Sequence, residues 1–311
     1  MRILRSALLA SLLLLPPTLA DAADRVVRIG YQKYGNLLLL KQHGTLDAHL
    51  KSLGLTAEWS EFPSGPPILE AMRAGAIDFG QTGDAPPIFA QAGRTDLVYV
   101  AAEPAAPQGE AILVPKDSAI RSLADLKGKR VALNKGSNVH YFLVKALEKA
   151  GVPYGDITPV FLAPADARAA FESGAVDAWA IWDPYLASAQ AATGARTLST
   201  AEGLAGNLQF YLASRSFADA NPKAVSALID AVREVDDWEA DHPAEAAAEL
   251  ADAIKLPAPV VATALGRQAH GVAPLSPAVT AGQQAVADTF LALHLIPKKL
   301  DVADVVWKPG S

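Results

Sequence analysis

The chain of 311 residues has no cysteine, which excludes disulfide staples, thiolate zinc sites, iron–sulfur clusters and a cysteine nucleophile. It has no excess of positive charge. Its 27 Lys and Arg stand against 33 Asp and Glu, a formal net charge of −6, so it lacks the basic face that nucleic-acid binding needs to displace counterions. Gly and Pro number 22 each, an ordinary globular level that excludes collagen-like and low-complexity chains. Catalytic signatures are missing too: there is no Gly-x-Ser-x-Gly, no His-Glu-x-x-His, no Walker loop and no Gly-x-Gly-x-x-Gly after a strand. His43 and His49 are six apart and would not share a helix face, so they do not read as a metal pair. We expect no metal, no cofactor, no nucleic-acid partner and no enzymatic activity.

The first 22 residues read as a secretory signal peptide. Arg2 and Arg5 form a positive start, Ala7 to Leu15 is a nine-residue apolar run, Pro16 and Pro17 break it, and Ala20-Asp21-Ala22 offers small residues for cleavage. The run falls well short of the ~20 residues that span a bilayer. The expected product is an acidic, exported, periplasmic protein beginning at Ala23.

Beyond the signal, strand-like and helix-like stretches alternate. Val26 to Tyr31, Thr56 to Phe62, Ile77 to Gly80 and Leu97 to Ala101 read as strands, with helices starting near Gly35, Ser64 and Asp84. Ala111 to Val114, Val131 to Leu133, Val160 to Leu162 and Ala178 to Ile181 continue the pattern, with helices after Gly136-Ser137-Asn138 and around Asp166 to Phe171. Such alternation predicts an α/β fold with mainly parallel sheets. From Asn221 onward the chain reads as helical. Asn221-Pro222 looks like an N-cap followed by Pro at the first helical position. Val225, Leu228, Ile229, Val232 and Val235 then recur at the spacing of a core stripe.

A segment repeats. Ala71-Met72-Arg73-Ala74-Gly75-Ala76-Ile77-Asp78 resembles Ala170-Phe171-Glu172-Ser173-Gly174-Ala175-Val176-Asp177, 99 residues later, and Asp84 pairs with Asp183 at the same offset. We expect two similar α/β lobes: lobe I from residues 23–109 and 211–311, lobe II from 110–210. The chain would cross between them at Glu110 to Pro115 and Leu208 to Ala213. The helical C-terminal part would pack on lobe I, and a small-molecule cleft would lie between the lobes. Ser64-Gly65, Thr82-Gly83-Asp84 and Gly136-Ser137-Asn138 each fall where a helix starts after a strand. Helix N-termini present free N–H groups and partial positive charge, and small residues let an anion approach.

At these residues the chain resembles the periplasmic aliphatic sulfonate-binding proteins of ABC importers, along essentially its whole mature length. The likeness is dense in Ile29-Gly30-Tyr31-Gln32-Lys33, Glu61-Phe62-Pro63-Ser64-Gly65-Pro66, Asp78 through Pro87, Asn134 through Tyr141 and Ile181-Trp182-Asp183-Pro184-Tyr185. The resemblance implies a type II periplasmic-binding fold of two lobes with two hinge crossings, and a monomer that delivers its ligand to an inner-membrane ABC permease. It implies that Gln32, Gly65, Thr82, Gly83, Ser137, Asn138 and His140 lie near the sulfonate, with Trp182 and Asp183 facing them from the second lobe. Asp84 stands where the family leads us to expect Glu, which shortens a side chain beside the pocket. Apolar walls for the tail would come from Trp182, Tyr185, Tyr34 and Tyr211. Taurine, nitrate or a thiamine precursor are alternative ligands within the wider group. A cofactor-biosynthesis enzyme on the same fold is the alternative of another class; the thiamine-pyrimidine synthases carry a Cys-rich motif that is lacking here.

Overall fold

A computed structural model of the protein describes residues 25–308. The expected signal peptide and its cleavage point lie outside the described residues. The chain opens with β1 (Arg25–Tyr31), α1 (Asn36–His43), α2 (Leu46–Lys51), β2 (Leu55–Glu61), α3 (Gly65–Arg73), β3 (Phe79–Gly83), α4 (Ala85–Ala92) and β4 (Leu97–Ala102). It then crosses into β5 (Glu110–Val114), β6 (Arg130–Leu133), α5 (Asn138–Lys149), β7 (Thr158–Phe161), α6 (Pro164–Glu172), β8 (Ala178–Trp182), α7 (Tyr185–Thr193) and β9 (Arg196–Thr200). It returns through β10 (Gln209–Ser214), followed by α8 (Arg215–Ala220), α9 (Pro222–Asp241), α10 (Pro243–Ile254), α11 (Ala258–Leu265) and α12 (Pro277–Ala292).

Two five-stranded sheets result, ordered β2-β1-β3-β10-β4 and β7-β6-β8-β5-β9. They share one topology. In each, four strands run the same way and the fourth position is antiparallel, and that strand (β10 or β5) is the one arriving from the other lobe. The sheets are thus mixed rather than purely parallel, because a strand entering from outside lands head-to-tail against its neighbours. Strand alternation sends side chains to both faces. In the first sheet Val27, Ile29 and Val100 pack with α1 and α9, while Tyr99 and Leu212 face α3, α4 and α12. In the second sheet Ile112 and Val131 pack on α5, and Leu113 and Trp179 pack toward α6 and α7. The apolar stripe of α9 is buried, as its spacing requires.

The repeat is a repeated structural device. Asp78 and Asp177 each precede a strand, β3 and β8, that begins 99 residues apart. Asp78 accepts from the backbone N of Arg28 at 2.9 Å and from its guanidinium at 2.8 and 2.6 Å. Asp177 does the same for Arg130 at 2.8, 3.2 and 3.0 Å. The same guanidinium also meets the carbonyl of Gly75 in one copy and Gly174 in the other. Both glycines take left-handed φ, 72° and 73°, which stops the preceding helix. Ile77 and Asp78 therefore lie ahead of β3 rather than in it: Asp78 ties the edge of β1 instead.

The two crossings run side by side. Glu103 N donates to Gln209 O at 2.9 Å and Ala106 N to Gly206 O at 3.0 Å. Between them Asn207 adopts φ 48°, a left-handed conformation that Asn tolerates better than most side chains. Its amide donates to Ala106 O at 2.8 Å. Pairing of β10 with β3 starts at Gln209, so the chain has rejoined the first sheet two residues ahead of the expected boundary at 211. Asn221 does not cap α9 with its side chain. Its amide donates back to Phe217 O at 3.2 Å, serving the end of α8 instead.

Candidate functional site

Between the lobes, at the carboxyl ends of the parallel strands, lies a cavity of about 320 Å³, the position where open α/β sheets bind ligands. The first lobe supplies Gln32 after β1, Gly65 at the start of α3 and Gly83 at the end of β3. The second supplies Ser137 and Asn138 at the start of α5, and Trp182 and Asp183 at the end of β8. Tyr34, Phe62 and Tyr185 add apolar wall. Trp182 and Tyr185 stand edge to face, 6.4 Å apart with 87° between planes.

Two helices from opposite lobes open onto this space without side-chain caps. Ser64 and Ser137 occupy their N-cap positions, yet neither accepts a capping hydrogen bond. Ser137 Oγ instead donates to Asn134 O at 2.7 Å. Pro66 and Pro67 carry no N–H, so among the first three residues of α3 Gly65 alone has a backbone donor to offer. The backbone N–H groups of Gly65, Asn138 and Val139 have no acceptor among the described residues. Orphan donors of this kind, with the helix dipoles behind them, are what an anion satisfies. Gly65 has to lack a side chain: a Cβ there would sit 2.9 Å from Thr82 Cβ and 3.0 Å from Pro86 Cγ.

Asn138 has only its backbone N–H left to offer the cavity. Both hydrogens of its side-chain amide are used, on Glu110 Oε2 at 2.9 Å and Asn207 Oδ1 at 2.9 Å. It thereby joins α5 to both crossing segments. Asp183 is buried and accepts Ala187 N at 2.9 Å, which fixes the start of α7. Arg267, just beyond α11, reaches across from the first lobe and donates to both Asp183 oxygens at 3.2 and 3.1 Å and to Gln190 Oε1 at 2.9 Å. Burial pushes Asp183 up to about 6, against the pull of Arg267.

Four expected residues do not reach the cavity. Thr82 is fully buried behind Gly65, and its hydroxyl donates to Gly83 O at 3.0 Å. Asp84 turns away to border a separate hollow with Tyr141 and Gln283. Its Oδ1 is buried without a partner, and burial raises it to about 7. His140 is on the buried side of α5, its Nδ1 taking Gly136 N–H at 3.2 Å and its Nε2 meeting Tyr154 OH at 2.9 Å. Burial lowers it to about 4, so it is neutral at pH 7 and supplies no positive charge. Tyr211 is core. Its hydroxyl donates to Glu103 Oε1 at 2.5 Å, and Glu103 is the residue that lines the cavity. Sequence reasoning missed Arg267, Glu103, Gln81 and Asn207. Their partners lie 22 to 108 positions away, and no local motif marks them.

The family described as NMT1-like matches residues 22–255. An aliphatic sulfonates-binding protein of Escherichia coli (strain K12) is 44% identical over 292 residues, 93% of this chain and 91% of the relative. The chain belongs to the NMT1-like family, and within it to the aliphatic sulfonate-binding group. Among solved structures, the alkanesulfonate-binding protein SsuA from Xanthomonas axonopodis pv. citri, bound to MOPS, is 44% identical. It has a TM-score of 0.87 and the match covers 91% of this chain and 98% of that one. The periplasmic aliphatic sulphonate binding protein SsuA from Escherichia coli is 43% identical with a TM-score of 0.84, covering 92% and 93%. The two-lobed periplasmic-binding fold that the resemblance implies is the fold of these relatives.

Proposed function

We infer that this protein is the periplasmic solute-binding component of an ABC importer for alkanesulfonates. It binds the sulfonate in the cavity between its lobes and hands it, unconverted, to an inner-membrane permease. The observation that carries this reading is the convergence of the uncapped N-termini of α3 and α5, from opposite lobes, on one aromatic-walled cavity. A sulfonate is a monoanion with three acceptor oxygens. Free N–H groups at helix ends suit it without a full countercharge. The free backbone N–H groups of Gly65, Asn138 and Val139 would cradle the oxygens, with Gln32 adding its amide and Trp182, Tyr185 and Tyr34 flanking the tail. Membership of the aliphatic sulfonate-binding group supports the ligand class, and the periplasmic relatives support export through the N-terminal signal. On this reading residues 23–109 with 209–311 and residues 110–208 are the lobes that close on the ligand as a monomer.

Calorimetry with matched ligands tests it. An alkanesulfonate is expected to bind and to raise stability by about 2.7 kcal/mol at a hundredfold excess over Kd, and the alkylphosphonate of the same tail to bind more weakly above neutrality. A second negative charge on the phosphonate would be desolvated without a partner. If taurine or nitrate shifts the melting curve while longer alkanesulfonates leave it unmoved, the reading is wrong.

A further inference from the structure

The charges around the cavity do not balance. Two cations line it, Lys33 and Arg267, against three carboxylates, Glu61, Glu103 and Asp183. Lys33 pairs with Glu61 at 3.3 Å, both substantially exposed. Arg267 pairs with Asp183 at 3.1 Å. Glu103 is left without a cationic partner among the described residues.

Glu103 is nonetheless built in. Its Oε1 accepts from Tyr211 OH at 2.5 Å, Gln81 Nε2 at 2.7 Å and Asn36 Nδ2 at 3.2 Å. Three donors hold one oxygen still. The other, Oε2, accepts nothing from the protein and is not sealed within the wall. A carboxylate with one oxygen saturated and one offered to a cavity is arranged to receive a cation. The same cavity is lined by Tyr34, Trp182 and Tyr185, and Tyr34 lies within electrostatic reach of Glu103; aromatic rings suit an alkylated ammonium, whose weakly hydrated charge gains from ring quadrupoles.

We propose that the cavity selects zwitterionic sulfonates, with the sulfonate at the helix ends of α3 and α5 and an alkylated ammonium at the far end of the tail held against Glu103 Oε2. The proposal rests on the sulfonate reading above and adds to it the chemistry of the tail. A plain alkanesulfonate leaves Glu103 unpaired. A zwitterion adds no net charge to the site and gives each end a partner.

Burial, opposed by the Tyr211 bond and reinforced by Asp236 and Glu239, puts Glu103 at about 7. The groups facing it are Tyr34 after β1, Tyr211 on β10, Asp236 and Glu239 on α9, and His270 after α11, which is paired with Asp236. The preference for the cationic tail therefore belongs to the ionised form and fades as pH falls below about 7.

The test compares 3-(trimethylammonio)propane-1-sulfonate with its uncharged isostere, 4,4-dimethylpentane-1-sulfonate, by calorimetry on the whole protein. Neither tail titrates, so pH acts on the protein alone. The ammonium ligand is expected to bind about tenfold tighter at pH 8, with the ratio shrinking toward one by pH 6. In Glu103→Gln the ratio is expected to be near one at both pH values. The wild-type pH series stands alone should that variant fail to fold. Equal binding, or tighter binding of the isostere, at pH 8 overturns the proposal and leaves the sulfonate reading intact. If neither ligand binds, both fall. A ratio that survives in Glu103→Gln also overturns it.

Discussion

Glu239 on α9 is 1% exposed, and neither of its carboxylate oxygens has a partner. Burial pushes it up to about 7, with His270 opposing the rise and Asp236 adding to it. Asp84 and Glu103 reach about 7 for the same first reason. An acid raised in the folded state binds its proton more readily folded than unfolded. Stability is therefore lost as pH climbs from the unfolded carboxyl range through about 7. His140 runs the other way, because burial holds it at about 4, and its gain ends only about one unit above its ordinary value of 6.5. From roughly pH 6 to pH 8 the loss from the three carboxyls, on the order of 1 kcal/mol or more per group, outweighs what is left of the His140 gain. The ligand-free protein is expected to melt at a lower temperature at pH 8 than at pH 6. Glu239→Gln should lessen that fall. A melting temperature that rises across the window would refute the account of these carboxyls as buried and unpaired.

At the scale of elements, α3 depends on a missing side chain. Gly65→Ala would bring a Cβ against Thr82 and Pro86 at 2.9 and 3.0 Å, and the head of the helix would shift to relieve it. Overpacking of this kind costs about 1–3 kcal/mol. The displaced N–H should lower sulfonate affinity about tenfold, or ~1.4 kcal/mol. Calorimetry beside a denaturation curve reads both. Unchanged affinity would mean that α3 does not hold the anion. The sequence pattern discloses this element well, because Ser64-Gly65-Pro66-Pro67 is local chemistry: small residues, then prolines at the first helical turn. The repeat was legible for the same reason, since helix, glycine stop and strand follow one another within a few residues. The Arg28 and Arg130 that lock each copy were not, because they act 50 and 47 positions away. Thr82 and His140 look like ligand donors in the sequence, as hydroxyl and imidazole groups beside helix starts. Folding turns each inward, onto Gly83 O and Tyr154 OH. Arg267 falls just beyond α11, in the C-terminal part that reads only as helical, and its partner Asp183 is 84 residues distant.

At the scale of the whole molecule, the lobes touch at several places around the cavity. Arg267 clasps Asp183 and Gln190 across it. Elsewhere, α4 meets α5 through Phe89 stacked on His140, 6.1 Å apart with 8° between planes. Asn138 ties α5 to both crossings through Asn207 and Glu110. Gly83, at the end of β3 in the first lobe, lies directly against Asn138 of the second. A Cβ on Gly83 would come 2.9 Å from Asn138 Cβ and 3.1 Å from its Cγ. Gly83 does not take a left-handed φ, so alanine is not strained by its own backbone; the obstruction lies in the other lobe. Two packed lobes relieve such a wedge more cheaply by rotating apart at the crossings than by deforming either core. Gly83→Ala is therefore expected to keep the thermal stability of the lobes while opening the cleft. Sulfonate affinity should fall about ten- to a hundredfold, ~1.4–2.7 kcal/mol. Small-angle scattering of the liganded variant should give a larger radius of gyration than the liganded wild type. Loss of melting temperature without a change in scattering would locate the strain inside one lobe. Unchanged affinity together with an unchanged scattering profile would mean that the contact between Gly83 and Asn138 has no part in closure.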